Sequence, residues 1–249
     1  LGENVKQSNW GDRQTVRFPQ TRMGVEQVLL DAFTRAKEYQ KAQAAFIARS
    51  NDKKNKEALV PVRRDLELDA LSEILNKKRF ITCHSYVQSE INMLMHVGDS
   101  MGFTVNTFTH ILEGYKVADK MKAHGANASN FADWWAYKFE VYDAIPYNSA
   151  IMTRVGLNVA VNSDDAEMAR RLNQEAAKSM KYGNLTAEEA IRLCTINPAK
   201  MLHIDQRTGS IKTGKDADLV IWNADPLSIY AKPLFTLVDG TIYFDAAEQ

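Results

Sequence analysis

Three side chains that can bind a metal ion stand at the ends of short, apolar, β-prone segments in this 249-residue chain. They are His84 after residues 79–83, His110 after residues 103–109 and Asp164 after residues 157–163. Two imidazoles and one carboxylate form a ligand set that suits zinc and leaves a coordination position open for water. A zinc ion held in this way activates water for hydrolysis. The sequence therefore predicts a hydrolytic metal centre, if the three segments bring their ends together.

The elements around these residues predict how the ends meet. Helical patterns separate the segments, so strands and helices alternate along the chain, which is typical of a parallel sheet. In a (β/α)8 barrel all strand carboxyl ends open on one face, where the residues just beyond them converge. Four strands are predicted with ends near His84, His110, Phe131 and Asp164, and a fifth that ends at Glu3. Because a barrel has eight strands, we predict an α/β fold that is the C-terminal half of a (β/α)8 TIM barrel.

The chain divides into two predicted domains. Residues 1–206 are expected to be the partial barrel, from about strand four or five to strand eight. Residues 207–249 are expected to form a small C-terminal β segment of the β-sandwich type, since Asp239-Gly240 is a strong hairpin signal. An open half-barrel would expose strand edges, so the missing strands are expected from an N-terminal part of the same precursor. The first residue, Leu1, is typical of a processed or clipped product.

Local signals predict three further features of the barrel part. A polar, glycine-containing loop is expected over residues 7–19. Gly183 is expected to end a helix. Thr186 and Glu189 fit a capping box that starts the next helix.

Composition excludes several other classes of protein. With 45% hydrophobic residues, a formal charge of +0 and a pI of about 7.1, the chain offers no basic face for nucleic acid. No apolar run reaches the ~18 residues that a membrane span needs. Two cysteines, Cys83 and Cys194, exclude a disulfide scaffold. The compartment stays open, because a signal peptide can precede the first residue.

Several motifs resemble one known superfamily. The segment 109–116, Thr-His-Ile-Leu-Glu-Gly-Tyr-Lys, is similar to the sixth-strand segment of imidazolonepropionase-like amidohydrolases. The block that begins with Asn197-Pro198-Ala199-Lys200 and continues through 209–211 and 214–220 is similar to their C-terminal signature. Together with the three candidate ligands, these motifs resemble the C-terminal half of a metal-dependent amidohydrolase.

The resemblance implies a role for each candidate site residue. His84 and His110 correspond to the metal ligands of strands five and six. Asp164 corresponds to the last-strand aspartate, which contacts the metal and handles the proton of the hydrolytic water, although Asp165 beside it is an alternative. Glu3 can replace the carboxylated lysine that often bridges two metals on strand four. The His-x-His pair of the first strand is absent from this chain.

The function implied is a metal-dependent hydrolase that cleaves C–N bonds, in amides or cyclic amides, of a small-molecule substrate. The cofactor implied is a divalent metal, zinc in the first place, with one or two ions. Two alternatives stay open: a heterocycle deaminase on the same fold, and a non-catalytic fragment or scaffold that is inactive without its N-terminal half. A homo-oligomer also stays open.

The remaining chemistry-bearing residues are expected to be structural. Three other histidines lie inside or at the C-terminal ends of predicted helices, namely His96, His124 and His203. Cys83 alternates with His84 along its strand, so its thiol should point away from the site. Trp134 and Trp135 have two open interpretations, an apolar wall for the substrate or packing against the helices.

Overall fold

Two β-sheets organise the part of the chain that the structure, a computed structural model, describes: residues 1–6, 11–13 and 17–248. The first sheet has four parallel strands in the order β1-β2-β3-β4, which are Thr82–His84, Thr107–Thr109, Asn127–Asn130 and Val159–Val161. The second has three antiparallel strands in the order β5-β6-β7, which are Leu219–Trp222, Pro233–Val238 and Thr241–Asp245. The predicted α/β fold with a parallel sheet is confirmed.

Helices alternate with the parallel strands. Those that precede or separate the strands are α1 Glu3–Lys6, α2 Arg22–Asn51, α3 Leu66–Leu75, α4 Gln88–Met101, α5 Ala118–His124 and α6 Asn148–Val155. Those that follow β4 are α7 Ala166–Ala169, α8 Leu172–Gly183, α9 Ala187–Arg192 and α10 Ile196–Met201. Short 3-10 turns lie at Gly11–Arg13, Gly114–Lys116, Phe139–Val141 and Ala246–Glu248. Within the described residues, none of these helices combines the length and apolar character of a membrane span.

The main core lies between the parallel sheet and its helices. Phe108 on β2 and Val159 on β4 are fully buried and pack with Ile91, Met121 and Met152 from α4, α5 and α6. All three residues of β4 are buried, as expected for a parallel strand that is covered on both faces. Burial of this apolar surface is the main force that stabilises the sheet.

Helix ends fix where each strand begins. α4, α5 and α6 each end at a glycine with left-handed φ, at Gly102, Gly125 and Gly156, a conformation that costs glycine little. α8 ends at Gly183, as predicted, but the left-handed cap lies one residue later. Gly183 is its last helical residue, and Asn184 takes the left-handed cap with φ 52°. Gly183 serves packing instead, because a Cβ there would stand 2.1 Å from that of Ala150.

The predicted capping box of Thr186 and Glu189 is confirmed at the start of α9. The predicted strand end at Glu3 is wrong, because Glu3–Lys6 forms a helical turn after Gly2, whose φ is 82°. The polar loop predicted for residues 7–19 falls mainly on residues 7–10 and 14–16, which lie outside the described ranges.

The outer edge of β4 is partly covered. The N–H of Val161 donates to the carbonyl of Leu193 at 3.0 Å. The side-chain amide of Asn197 donates to the carbonyl of Val159 at 2.8 Å. Leu193, just after α9, and Asn197, in α10, therefore satisfy two backbone groups that an edge strand otherwise presents to solvent.

Asn148 ties α6 to the segment that follows β2. Its Oδ1 accepts from the N–H of Tyr115 at 2.9 Å, and its Nδ2 donates to the carbonyl of Ile111 at 2.8 Å. We expect Asn148→Ala to lower the free energy of unfolding by about 2–4 kcal/mol, because both buried backbone groups lose their partners. Urea denaturation measures this change.

Asn223→Ala is the matched control, since Asn223 is exposed and its Oδ1 accepts only from the N–H of Lys232 among the contacts of the described residues. We expect it to cost less than about 1 kcal/mol. Equal losses in the two variants would show that the Asn148 contacts do not stabilise the fold.

Candidate active site

The three predicted residues meet at the carboxyl edge of the parallel sheet. His84 is the last residue of β1, His110 directly follows β2, and Asp164 lies in the turn after β4. The ring centroids of the two histidines are 4.9 Å apart. His110 Nε2 lies 3.4 Å from Asp164 Oδ1. The predicted convergence of two imidazoles and a carboxylate is therefore present.

The ring of His110 is held from two sides. Its Nδ1 lies 3.0 Å from Asn162 Oδ1, and its ring stacks on Phe131 with centroids 4.6 Å apart. An amide oxygen only accepts hydrogen bonds, so Nδ1 carries the proton in this arrangement. The lone pair then lies on Nε2, which faces Asp164. The φ of His110 is 58°, a value that non-glycine residues adopt rarely and that often marks a functional position.

His84 is a partly buried, neutral imidazole. Its Nδ1 is buried and has no hydrogen-bond partner, and its ring meets Tyr86 edge-on at 4.6 Å. Burial, followed by the nearby charge of His110, lowers the pKa of His84 to about 4. Burial also lowers the pKa of His110, against the opposing attraction of Asp164. Both imidazoles are thus in the neutral form that metal binding requires.

The side chain of Asp164 is 49% exposed and lies at the mouth of the site. The alternative residue, Asp165, caps α7 by accepting from the N–H groups of Glu167 and Met168 at 2.9 Å. Asp165 therefore has a structural role that Asp164 lacks. This geometry favours Asp164 as the functional carboxylate.

Glu3 lies beside a buried group of charges near the end of β1. Its N–H donates to Glu140 Oε1 at 2.9 Å. Glu140 is buried, and burial, followed by the charge of Glu3, raises its pKa. Lys6 lies 3.5 Å from Glu90 and 3.7 Å from Glu140. The proposed role of Glu3 as a metal ligand stays a prediction.

The donor set is incomplete as a metal site. Across residues 1–6, 11–13 and 17–248, no group of three or more His, Cys, Asp and Glu side chains is arranged to hold one ion. The pair of His110 and Asp164 does fit, because two ligands of a tetrahedral zinc ion at ~2.0–2.1 Å stand about 3.3 Å apart. His84 Nδ1 is buried without a hydrogen-bond partner, and the His84 ring centroid lies 4.9 Å from that of His110.

A second apolar cluster surrounds the site, and the sequence analysis did not identify it. Its buried members are Tyr86, Leu112, Phe131 and Val141, and Val87, Trp134 and Ala144 pack against it. Tyr86 lies two residues after His84, and Leu112 lies two residues after His110. Apolar residues at the same offset beyond consecutive strand ends were the signal that could have revealed this cluster.

Asn162 is also a site residue that the sequence analysis missed. It is the first residue after β4, and its amide nitrogen forms a short hydrogen bond with Ser129 Oγ while its oxygen faces His110. Its polar side chain directly after the apolar residues 159–161, two residues before Asp164, is the signal that could have revealed it.

The other singled-out residues lie apart from the ligand pair. His124 is bound by Asp99 at 2.7 Å and by the N–H of Val105 at 3.0 Å. His203 stacks on Phe80 at 3.9 Å. His96 is exposed on α4. The contacts of His124 and His203 and the exposed position of His96 agree with the predicted structural roles of the three histidines.

The two tryptophans differ in their surroundings. Trp134 stacks on Phe131 at 4.6 Å and places its Nε1 2.8 Å from Met168 Sδ, so it packs. Trp135 is 41% exposed. Cys83 packs against the main core, and burial raises the pKa of its thiol, which agrees with its predicted lack of a nucleophilic role.

Comparison with known proteins shows a similarity to amidohydrolases. Residues 143–243 match the amidohydrolase family, a range that includes Asp164. The chain is 31% identical over 249 residues to the amidohydrolase tasK of Hapsidospora irregularis. This alignment covers 98% of this chain and 25% of that protein. It is 27% identical over 169 residues to the imidazolonepropionase of Thermoplasma volcanium, which covers 65% of this chain and 41% of that protein.

A solved structure is similar over almost the whole chain. The amidohydrolase from Thermotoga maritima MSB8 superposes with a TM-score of 0.83 at 28% identity, covering 98% of this chain and 61% of that one. The similarity to amidohydrolases thus extends beyond the 143–243 match, and the family resemblance predicted from the motifs is confirmed. It spans only a quarter of the tasK relative and 61% of the Thermotoga chain.

The depressed pKa of His84 predicts a pH dependence of stability in the metal-free protein. Below its ordinary value of 6.5, the unfolded chain binds a proton on His84 that the folded chain rejects until about pH 4. The free energy of unfolding should therefore fall as the pH falls from about 6.5 to about 4. His84→Gln, which has no titrating group, should show a shallower fall in chemical denaturation.

Above about pH 7, His84 is neutral in both states, so the two proteins should share one pH dependence there. If the free energies of unfolding of the wild-type protein and of His84→Gln fall in parallel from pH 7 down to pH 4, His84 is not desolvated in the folded state.

Proposed function

We propose that this chain supplies the metal-binding, proton-handling half of a hydrolase that cleaves C–N bonds in a small-molecule substrate. The observation that carries this proposal is the 3.4 Å separation between His110 Nε2 and Asp164 Oδ1, with the His84 ring beside them. The names of the amidohydrolase and imidazolonepropionase relatives support the class of reaction. The substrate itself is an amide or a cyclic amide in this proposal.

His84 and His110 would hold a divalent metal ion, zinc in the first place, together with Asp164. Both imidazoles are neutral, and a neutral ring nitrogen is the group that binds zinc. Asn162 fixes the proton of His110 on Nδ1 and so directs Nε2 toward the ion. Glu3 is the residue of this chain that we propose for a second ion.

A bound zinc ion lowers the pKa of a coordinated water to about 7 and polarises the carbonyl that is attacked. Asp164 is placed to accept the proton of the attacking water, because its half-exposed carboxylate faces the ligand ring. It would then pass that proton to the leaving nitrogen. The buried rings of Tyr86 and Phe131 exclude water from one side of the two imidazoles.

The architecture needed for this activity is larger than the described sheet. We propose that β1 to β4 belong to a (β/α)8 barrel in residues 1–206 and that residues 207–249 belong to a composite β domain. The remaining strands, with the His-x-His pair, would come from an N-terminal part of the same precursor. The partial coverage of the relatives supports this view.

Asp164→Asn tests the proposed proton transfer. In the polypeptide that carries this chain, we expect turnover to fall by about 10²–10⁴-fold, the usual contribution of a general base, while zinc content falls only partly. The assay measures carboxylate and ammonia release from a panel of N-acyl amino acids, dipeptides, cyclic amides and amino-substituted heterocycles. Ammonia release without carboxylate would replace the hydrolase by a heterocycle deaminase.

Asp165→Asn is the matched control, because it changes the neighbouring carboxylate that caps α7. We expect it to cost less than about 0.5 kcal/mol of stability, because asparagine caps a helix about as well as aspartate, with little loss of turnover in the folded protein. Full turnover of the zinc-loaded Asp164→Asn variant would rule out the role of Asp164. Absence of metal from the wild-type protein would favour the non-catalytic scaffold.

Asn162→Ala tests how His110 is oriented. Removing the partner of a ligand's second nitrogen typically lowers metal affinity by ~10–100-fold, and we expect a loss in this range. Competition with a chromophoric chelator measures the zinc affinity of the folded variant.

Asn106→Ala is the comparison variant, since Asn106 Oδ1 makes a similar contact of 2.9 Å to His203 Nε2, away from the site. Its zinc affinity should stay at the wild-type value. Equal losses in the two variants would mean that Asn162 has no specific effect on His110.

A further inference from the structure

Aromatic side chains are concentrated in residues 131–142, which we call the aromatic segment. Resting on the proposed function, we propose that this segment is the substrate-recognition surface of the site. In this proposal Tyr137 selects substrates that carry an aromatic ring or a comparable flat apolar group.

The inner side of the aromatic segment is anchored. Phe131 and Val141 are buried in the second apolar cluster, and the N–H of Ala136 donates to the carbonyl of Val141 at 3.1 Å. Asp133 forms a 2.7 Å ion pair with Lys178 of α8. These contacts hold the segment in one place, so its outward side chains form a preorganised surface.

The outer side of the segment exposes large rings. The exposed fractions are 41% for Trp135, 53% for Tyr137, 86% for Phe139 and 74% for Tyr142. Single exposed apolar residues need no explanation, but several in one run mark a binding surface. Small-molecule sites are mostly apolar with a few polar anchors, which is the composition found here.

Contacts connect this surface with both candidate ligands. Tyr137 and Tyr86 lie near each other, since Lys138 Nζ is 5.7 Å from the centroid of the Tyr137 ring and 4.3 Å from that of the Tyr86 ring, and Tyr86 meets the ring of His84 at 4.6 Å. On the other side, Tyr137 meets Trp134 edge-on at 5.8 Å. Trp134 and Phe131 continue the row of rings to His110 in steps of 4.6 Å.

Because these ring contacts connect the exposed surface with the candidate ligands, the molecule that binds the surface is the substrate of the site in this proposal. A group bound against the half-exposed Tyr137 lies at the end of a row of rings that starts at His110. Lys138 adds a positive charge next to this position, 4.3 Å from the centroid of Tyr86, although Glu140 at 3.9 Å partly balances it. A flat apolar group bound against Tyr137 would gain stacking contacts with this ring that a methyl group cannot make.

The test compares N-benzoylglycine with N-acetylglycine, which differ only in the ring. Dissociation constants are measured by tryptophan fluorescence in the metal-free and zinc-loaded chain, with circular dichroism to verify folding. We expect the wild-type protein to bind N-benzoylglycine about tenfold more tightly, the value of a well-placed aromatic contact. Tyr137→Ala should remove most of this preference, whereas Tyr137→Phe, which keeps the ring, should retain it.

Tyr243→Ala is the control, because Tyr243 is also exposed, at 74%, but lies on β7 of the second sheet. It should leave the preference unchanged. The proposal is overturned if the wild-type protein binds both probes equally, does not bind N-benzoylglycine, or responds equally to Tyr137→Ala and Tyr243→Ala.

The two proposals fail in different ways. A preference for N-benzoylglycine, together with no zinc binding by the polypeptide that carries this chain, would end the proposed hydrolase and leave the recognition surface. Normal zinc binding without a preference would end the recognition surface and leave the hydrolase.

Discussion

Parallel strand pairing is the constraint on which the site depends. β1 and β2 pair in a register that places His84 opposite Thr109, one residue before His110. Pairing through β3 brings the turn after β4 to the same edge, where Asp164 reaches His110. A shift of one residue would turn each side chain to the opposite face of the sheet. The chemistry therefore depends on backbone hydrogen bonds that the functional side chains do not themselves make.

Burial sets the electrostatic state of the site. The rings of Tyr86 and Phe131 cover the two imidazoles, so protonation of either ring would place a charge in poorly solvated surroundings. The result is two basic nitrogens in a neutral form and one carboxylate near solvent. Apolar packing and the protonation state of the imidazoles are thus linked, because the same aromatic cluster packs against both rings.

Much of this arrangement could be predicted from the sequence, and its limits have physical causes. The strands that end at His84, His110 and Asp164 were predictable, because apolar runs bounded by polar residues give a strong local signal. The helical turn at Glu3 was not, since its conformation depends on contacts with Glu140, which lies far away in the chain. Asn162 and the second apolar cluster were missed for a similar reason: their roles arise from contacts between separate strands. Asn184, and not Gly183, takes the left-handed cap of α8. The close packing of Gly183 against Ala150 is a tertiary contact, which the local sequence does not reveal.

The covered edge of β4 affects how a complete barrel would close. Val159 and Val161 already have hydrogen-bond partners in Asn197 and Leu193. A strand that joins this edge must displace those partners, so pairing exchanges hydrogen bonds and adds few new ones. The net free energy of closure would then come mainly from desolvation of apolar surface. Association of the two halves should consequently have a large negative heat-capacity change and only a small enthalpy near room temperature.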